Sequence, residues 1–273
     1  MFNLKHIILT ALFCLLFISS CDSSEKLIST NNESIIFSPT FKGETLTCNS
    51  VIAHSNKKWH YTQLQFFVSS IELQNNKLEW QKASLIKSVY QTDKIALLGE
   101  HCDSSNKKNN ANWRLILDPK IDLTKITRIR FHLGLPFAIN HLNPLTQESP
   151  LNISTMFWGW QKGHKFLRLE MASSNDNWLF HLGSVGCKAA SPLRAPKEEC
   201  RYPNRYVFEL PIYDENNQIT FELSTLLSNM TITEQASCQS SPNKSSCQAL
   251  FSNFRKKGEL SVFQSSKKDI AYE

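Results

Sequence analysis

The sequence predicts an all-β fold: a disulfide-stapled β-sandwich or barrel-like single domain with long loops and few short helices. Three observations predict it. Short runs rich in Phe, Ile, Val and Thr recur between polar turns from Ile35 onward. Helical spacing is confined to two short stretches near the C-terminal end. Six cysteines remain for the folded part once the N-terminal leader is set aside, an even number of the kind that staples exported domains.

The elements follow in chain order. Lys5 supplies a short positive region, and Ile7 to Ile18 is apolar over about a dozen residues, the length of a signal peptide and too short to span a bilayer. It ends in Ile18-Ser19-Ser20-Cys21, which resembles the lipobox of bacterial lipoproteins: an aliphatic residue, two small ones, then the cysteine that is acylated. Residues 1–20 are therefore expected to be a signal peptide, with cleavage before Cys21. Lipid on Cys21 would anchor the chain to a bacterial membrane, facing the periplasm. Asp22 resembles the inner-membrane retention signal of enteric-type sorting, and the choice between inner and outer membrane stays open. Residues 22–34 are polar and lack aromatics, which reads as a flexible tether. No later run of apolar residues is long enough to span a membrane. With no linker after Ser34 and no fixed-period repeat, residues 35–273 read as one domain.

Within that domain, Leu64–Leu73 alternates only loosely, so it is expected to be partly buried on both faces. Asn75-Asn76-Lys77 forms a turn, and Leu78-Glu79-Trp80 is the return of a hairpin. Further strands are expected at Lys94–Leu98, Trp113–Leu117, Ile126–Leu133, Lys165–Met171, Trp178–Leu182, Tyr206–Tyr213 and Ile219–Leu223. Ile126–Leu133 alternates cleanly, with Arg128, Arg130 and His132 on one side and Ile129, Phe131 and Leu133 on the other. Ser224–Ser228 and the region around Cys247–Phe254 read as helix.

Composition narrows the function. Past the leader the chain keeps 29 of its 30 Lys and Arg side chains, all but Lys5, against 24 acidic ones. These charges are mixed, with no basic tract, so no nucleic-acid partner is expected. A hydrophobic content of 41% and 17 Phe with 6 Trp point to a globular, ring-rich core. Of the cysteines, Cys14 leaves with the leader and Cys21 takes lipid. The remaining six are Cys48, Cys102, Cys187, Cys200, Cys238 and Cys247. Proximity favours Cys238–Cys247 and Cys187–Cys200, which leaves Cys48–Cys102. None forms a Cys-x-x-Cys pair, so a metal reading of these thiols is weaker than a disulfide one.

Seven histidines lie past the leader: His54, His60, His101, His132, His141, His164 and His181. No HExxH, GxSxG, Walker or Rossmann pattern accompanies them, and nothing marks a nucleophile elbow, so the chain is not expected to be an enzyme. Absence of Cys-x-x-Cys-His means that it holds no covalently attached c-type haem. The densest stretch is Gly134 to Phe166, where Met156-Phe157-Trp158-Gly159-Trp160 precedes Gly163-His164. Two tryptophans at i, i+2 fall on the same face of a strand. Soft and imidazole ligands around them suit copper. The alternative is a Trp pair packed in a β core with exposed histidines around it.

A series of segments occurs together and in order: Leu64–Leu73, Ile95–Leu98, Gly134-Leu135-Pro136 with Asn140-His141, Met156-x-Trp158-x-Trp160-x-x-Gly163, Lys165-Phe166, Phe180-His181-Leu182-Gly183-Ser184-x-Gly186-Cys187, Cys200 and Pro203-Asn204-Arg205. This series resembles the MbnP-like family, copper-binding periplasmic proteins of methanobactin operons with a four-cysteine motif, over roughly Ile35 to Phe263. The resemblance implies a copper-binding protein whose partner is an MauG-like di-haem c-type peroxidase, which oxidises a tryptophan to kynurenine. By motif that tryptophan is Trp160 or Trp158, with Trp160 slightly favoured. His141 and His181 stand inside matched motifs and are the better ligand candidates; His60 is a weaker one. Three positions depart from the family pattern: Leu135 for a common Val, Ser70 for a common Asp, and His164 for a common Tyr. His164 is either an exposed substitute for tyrosine or an added ligand. Against the copper reading stands a metal-free lipoprotein that binds a carbohydrate or a protein through aromatic loops.

Overall fold

In a computed structural model, the described residues are 34–102, 110–213 and 217–266. The expected signal peptide, Cys21 and all of the tether except Ser34 lie outside them. Among the described residues no helix is long and apolar enough to cross a membrane.

The fold is organised by one strand, Lys57–Asn75, far longer than the segment Leu64–Leu73 that sequence alternation picks out. On one edge it pairs antiparallel first with Leu167–Ala172 (Ala172 opposite His60, Leu167 opposite Phe66) and then with Ile126–Leu133 (Leu133 opposite Val68). The handover falls at Phe67, whose N–H donates to the Phe166 carbonyl while its own carbonyl accepts from the Gly134 N–H, each at 2.8 Å. On the other edge lie Ile95–His101 and the short return Trp80–Lys82. Beyond these, Asn177–Leu182 extends Leu167–Ala172, and Tyr206–Pro211 extends Ile126–Leu133. A bulge between Ser69 and Glu72 places Ser70 at φ 51°, breaking the alternation that the sequence shows loosely.

A smaller sheet covers one face. Its first strand, Ser34–Phe41, runs parallel to Gln218–Glu222 and antiparallel to Arg114–Ile116, and Phe263–Ser265 closes the far side. The two sheets meet over a cluster of rings. Phe263, fully buried, lies with its centroid 6.1 Å from Phe37, 5.4 Å from Phe66, 5.2 Å from Phe131, 4.7 Å from Phe208 and 5.0 Å from Phe221. Most of these contacts are edge-to-face, the arrangement the aromatic quadrupole prefers. The expected all-β sandwich is thus what forms. Among the described residues α-helix is limited to the one-turn pieces Phe137–Asn140 and Leu223–Leu226 and to Ser245–Phe254, which buries Leu250, Phe251 and Phe254; the other helical pieces are short 3-10 turns.

Three disulfides staple the rim, Cys48–Cys102, Cys187–Cys200 and Cys238–Cys247. These are the pairings that proximity favours. A carboxylate clamp supplements them. Buried Glu222 accepts the backbone N–H groups of Lys42 at 2.9 Å, Gly43 at 3.0 Å and Ser224 at 2.9 Å, and the Ser224 hydroxyl at 2.6 Å. Burial alone would raise the pKa of Glu222, but the hydrogen bonds outweigh it and hold the carboxyl below its ordinary value.

Two outcomes follow from this architecture. Phe263→Ala should cost about 3–5 kcal/mol, read as a lower urea midpoint with an unchanged slope. Glu222 is more acidic folded than unfolded, so its contribution is present above the ordinary carboxylate pKa of 4.5 and is lost as the pH falls below it. Glu222→Gln should therefore lower stability at pH 7 by about 1–3 kcal/mol and narrow the gap to wild type as urea titrations move toward pH 3.

Candidate functional site

The second face of the long strand is covered by the loops between Gly134 and Phe166. At the handover, Phe66 points into the ring cluster and Phe67 points the other way, its ring 5.8 Å from the imidazole of His164. His164 is fully buried, which corrects the reading of it as an exposed substitute for tyrosine. Its Nδ1 lies 2.9 Å from the Asn140 carbonyl and its Nε2 2.9 Å from the Leu151 carbonyl. Burial lowers its pKa against these two carbonyls, which raise it. Both ring nitrogens face backbone carbonyls; a neutral ring donates to one of the two, and His164 cross-links the loops with neither nitrogen directed at another metal-ligating side chain among the described residues.

The two tryptophans do not share a strand face. Phe157–Gly159 and Gly163–His164 pair as a short hairpin, and Trp160 sits in the turn between them. Gly163 carries φ 74°, a left-handed conformation that lets the chain reverse there. The reversal separates the rings. Trp158 packs over Gly183, where an added Cβ would sit 2.5 Å from the indole Cζ3 and 2.8 Å from the His164 carbonyl. Trp160 stacks edge-on to Phe157 at 6.4 Å. Each tryptophan therefore keeps its own histidine.

Trp160 goes with His141. Its carbonyl lies 3.4 Å from His141 Nδ1, and Asn140 Nδ2 donates to His141 Nε2 at 3.1 Å. The Asn140 orientation is fixed by its Oδ1, which accepts the His164 N–H at 2.8 Å. Cys200 Sγ, in its disulfide, lies 3.5 Å from the same Nε2. Burial holds the His141 pKa below its ordinary value, so the ring is neutral with both nitrogens engaged.

Trp158 goes with His181, at 6.3 Å between ring centroids. His181 is buried, and its Nε2–H donates to Glu170 Oε1 at 2.7 Å. Arg168 forks onto the same carboxylate, Nε to Oε1 at 2.6 Å and Nη2 to Oε2 at 3.0 Å. Burial works to raise the Glu170 pKa, but these hydrogen bonds bring it down to about 2, so the group is ionised. Burial lowers the pKa of His181 itself. The outcome is a neutral imidazole with its proton fixed on Nε2 and the Nδ1 lone pair unengaged, the arrangement that metal-binding histidines share with a supporting carboxylate.

His60 stands apart. It faces the Ala172 end of the neighbouring strand, four residues or about 13 Å along from Arg168, the residue opposite His181. It is exposed, with Nδ1 3.0 Å from the Ser50 carbonyl. The Arg168–Glu170 support is what sequence reasoning missed. Its signal was present, because residues two apart in Lys165–Met171 share a face and the turn after Ala172 sets His181 opposite Arg168. Among the described residues, three metal-ligating atoms come within 4.8 Å of one another only in His141–Cys187–Cys200 and Cys48–Glu100–Cys102. Both groups contain a disulfide, so neither offers thiolates.

A disulfide-stapled β-sandwich with a histidine and tryptophan loop layer is the class that this geometry defines. The family model for MbnP matches residues 30–240, and the chain belongs to the MbnP family. Its fold is similar to that of MbnP from Methylosinus trichosporium, at 21% identity and a TM-score of 0.69, over 81% of this chain and 87% of that one. No curated protein matches the chain. The packing of the site is open to test: Gly183→Ala should push the Trp158 ring aside at a cost of about 1–3 kcal/mol, with a shifted tryptophan emission maximum.

Proposed function

We propose that the chain is a copper-binding protein of a methanobactin-associated system, held on a membrane by lipid at Cys21 and facing the periplasm. Its role is binding, not catalysis. The observation that carries this reading is His181, a neutral imidazole with a free Nδ1, braced by ionised Glu170 and lying beside Trp158. Membership of the MbnP family supports copper handling as the setting.

The residues fit copper in part. One imidazole is ready, but among the described residues no second histidine joins it in a ligand cluster, and the Glu170 charge beside it is shared with Arg168. Further donors have to come from elsewhere. Ring opening of a tryptophan to kynurenine replaces an indole N–H, a donor only, with an aromatic amine and a ketone oxygen that both carry lone pairs. Trp158 is better placed than Trp160 for this, because it adjoins the imidazole that is free. Its oxidation falls to a di-haem c-type peroxidase docking on the half-buried hairpin, since this chain has no haem-attachment motif.

Copper bound only by the folded state must raise the melting temperature. Protein produced with its haem partner should show the tryptophan-to-kynurenine mass change on the Trp158–Trp160 peptide and a copper-dependent rise in Tm. His181→Ala should weaken copper binding at least tenfold, and His60→Ala should leave it unchanged. Copper binding that is absent, or that survives in His181→Ala, would return the chain to the metal-free reading.

A further inference from the structure

A pocket of about 170 Å³ opens beside His132 of the strand Ile126–Leu133 and is lined by none of His60, His141, Trp158, Trp160 and His181. His132, Phe137, Ser184, Glu199, Cys200 and Arg205 are among its lining residues. Two atoms there are buried without a hydrogen-bond partner: His132 Nδ1 and Arg205 Nε. Arg205 is half-buried, and its Nη2 reaches only the hydroxyls of Ser69 at 3.5 Å and Ser70 at 3.4 Å. Among the described residues no carboxylate lies within ion-pairing distance of it. Exposed Glu199, also in the lining, acts on Arg205 through space without an ion pair, and the neighbouring Arg130 already takes Glu72 at 2.8 Å and Glu209 at 3.8 Å.

A guanidinium N–H buried without a bonded partner is costly, and so is a buried imidazole nitrogen with none. Burial lowers the pKa of both groups; the Arg205 charge lowers that of His132 further, while Glu199 offsets part of the effect at Arg205 and Glu72 part of it at His132. One ligand type relieves both. A planar carboxylate matches the edge formed by the Nε–H and Nη2–H groups of an arginine, and a second contact is available from an imidazole N–H. The pocket is smaller than the roughly 300–1,000 Å³ that drug-sized ligands occupy, so the acid must be small.

We propose that this pocket binds a small free monocarboxylate, with Arg205 as the cationic anchor and the Nδ1–H tautomer of His132 as the second donor. The site is independent of copper and of tryptophan chemistry.

Thermal unfolding of the full chain in sodium acetate, against sodium chloride at matched ionic strength, tests it. The expected result is a saturable rise in Tm with acetate, lost in Arg205→Gln and shifted to at least tenfold higher acetate in Arg205→Lys. His132→Ala, which leaves the guanidinium in place, should weaken the response about fivefold and guards against misfolding of the arginine variants. No rise in wild type, or an equal rise in Arg205→Gln, would overturn the proposal. Sulfate acting as strongly as acetate would overturn the carboxylate class, and a short peptide binding more tightly through its C-terminal carboxylate than acetate does would overturn the free acid.

Discussion

The structure depends on a single change of partner along one strand. Lys57–Asn75 is too long for any one neighbour, and at Phe67 it passes from Leu167–Ala172 to Ile126–Leu133. Both neighbours have to diverge there, which makes the Gly134 and Phe166 segments leave the sheet side by side. Every residue between them belongs to the loop layer. Period-two alternation then does the rest: Phe66 faces the opposing sheet while Phe67 faces those loops, so neither side of the spine is solvated. Apolar burial on both faces of one strand couples the sandwich core to the histidine and tryptophan layer without any dedicated connector.

Loops carry this site, and loops are ordinarily mobile. Here they are tied by polar groups rather than by a second core. His164 spans two backbone carbonyls, Asn140 bridges His164 and His141, and Cys187–Cys200 pins the segment that packs beside His141. The same economy explains why His141 and His181 differ although both are buried and neutral. His141 spends both nitrogens on holding the loop. His181 sits on a regular strand, where the cross-strand carboxylate needs only one of them, and the other stays free.

Much of the sandwich was legible because its strands alternate and its turns are polar. Ile126–Leu133 and the C-terminal helix Ser245–Phe254 lie where periodicity puts them, and the three disulfides join the nearest cysteines. The first half of the long strand was not legible. Trp59-His60-Tyr61-Thr62-Gln63 mixes polar and aromatic residues without apolar density, and past Trp59, which pairs with nearby Ile52, it pairs with strands more than 30 residues away. The tryptophan hairpin was hidden for a different reason: i, i+2 spacing fixes a common face only if the chain stays extended, and the strand ends at Gly159, which leaves Trp160 in the turn. Exposure of His164 was misjudged because a histidine beside a glycine and a lysine looks like surface. Its burial depends on two carbonyls that no sequence pattern reports.

The parallel pairing of Ser34–Phe41 with Gln218–Glu222 sets a timetable. Ile36 lies opposite Gln218, so the first strand of the domain meets this parallel partner only when most of the chain is present, although Arg114–Ile116 can join its other edge sooner. A polypeptide that emerges N-terminus first must leave the edge that faces Gln218–Glu222 open until then. Closure of the smaller sheet is thereby a late event.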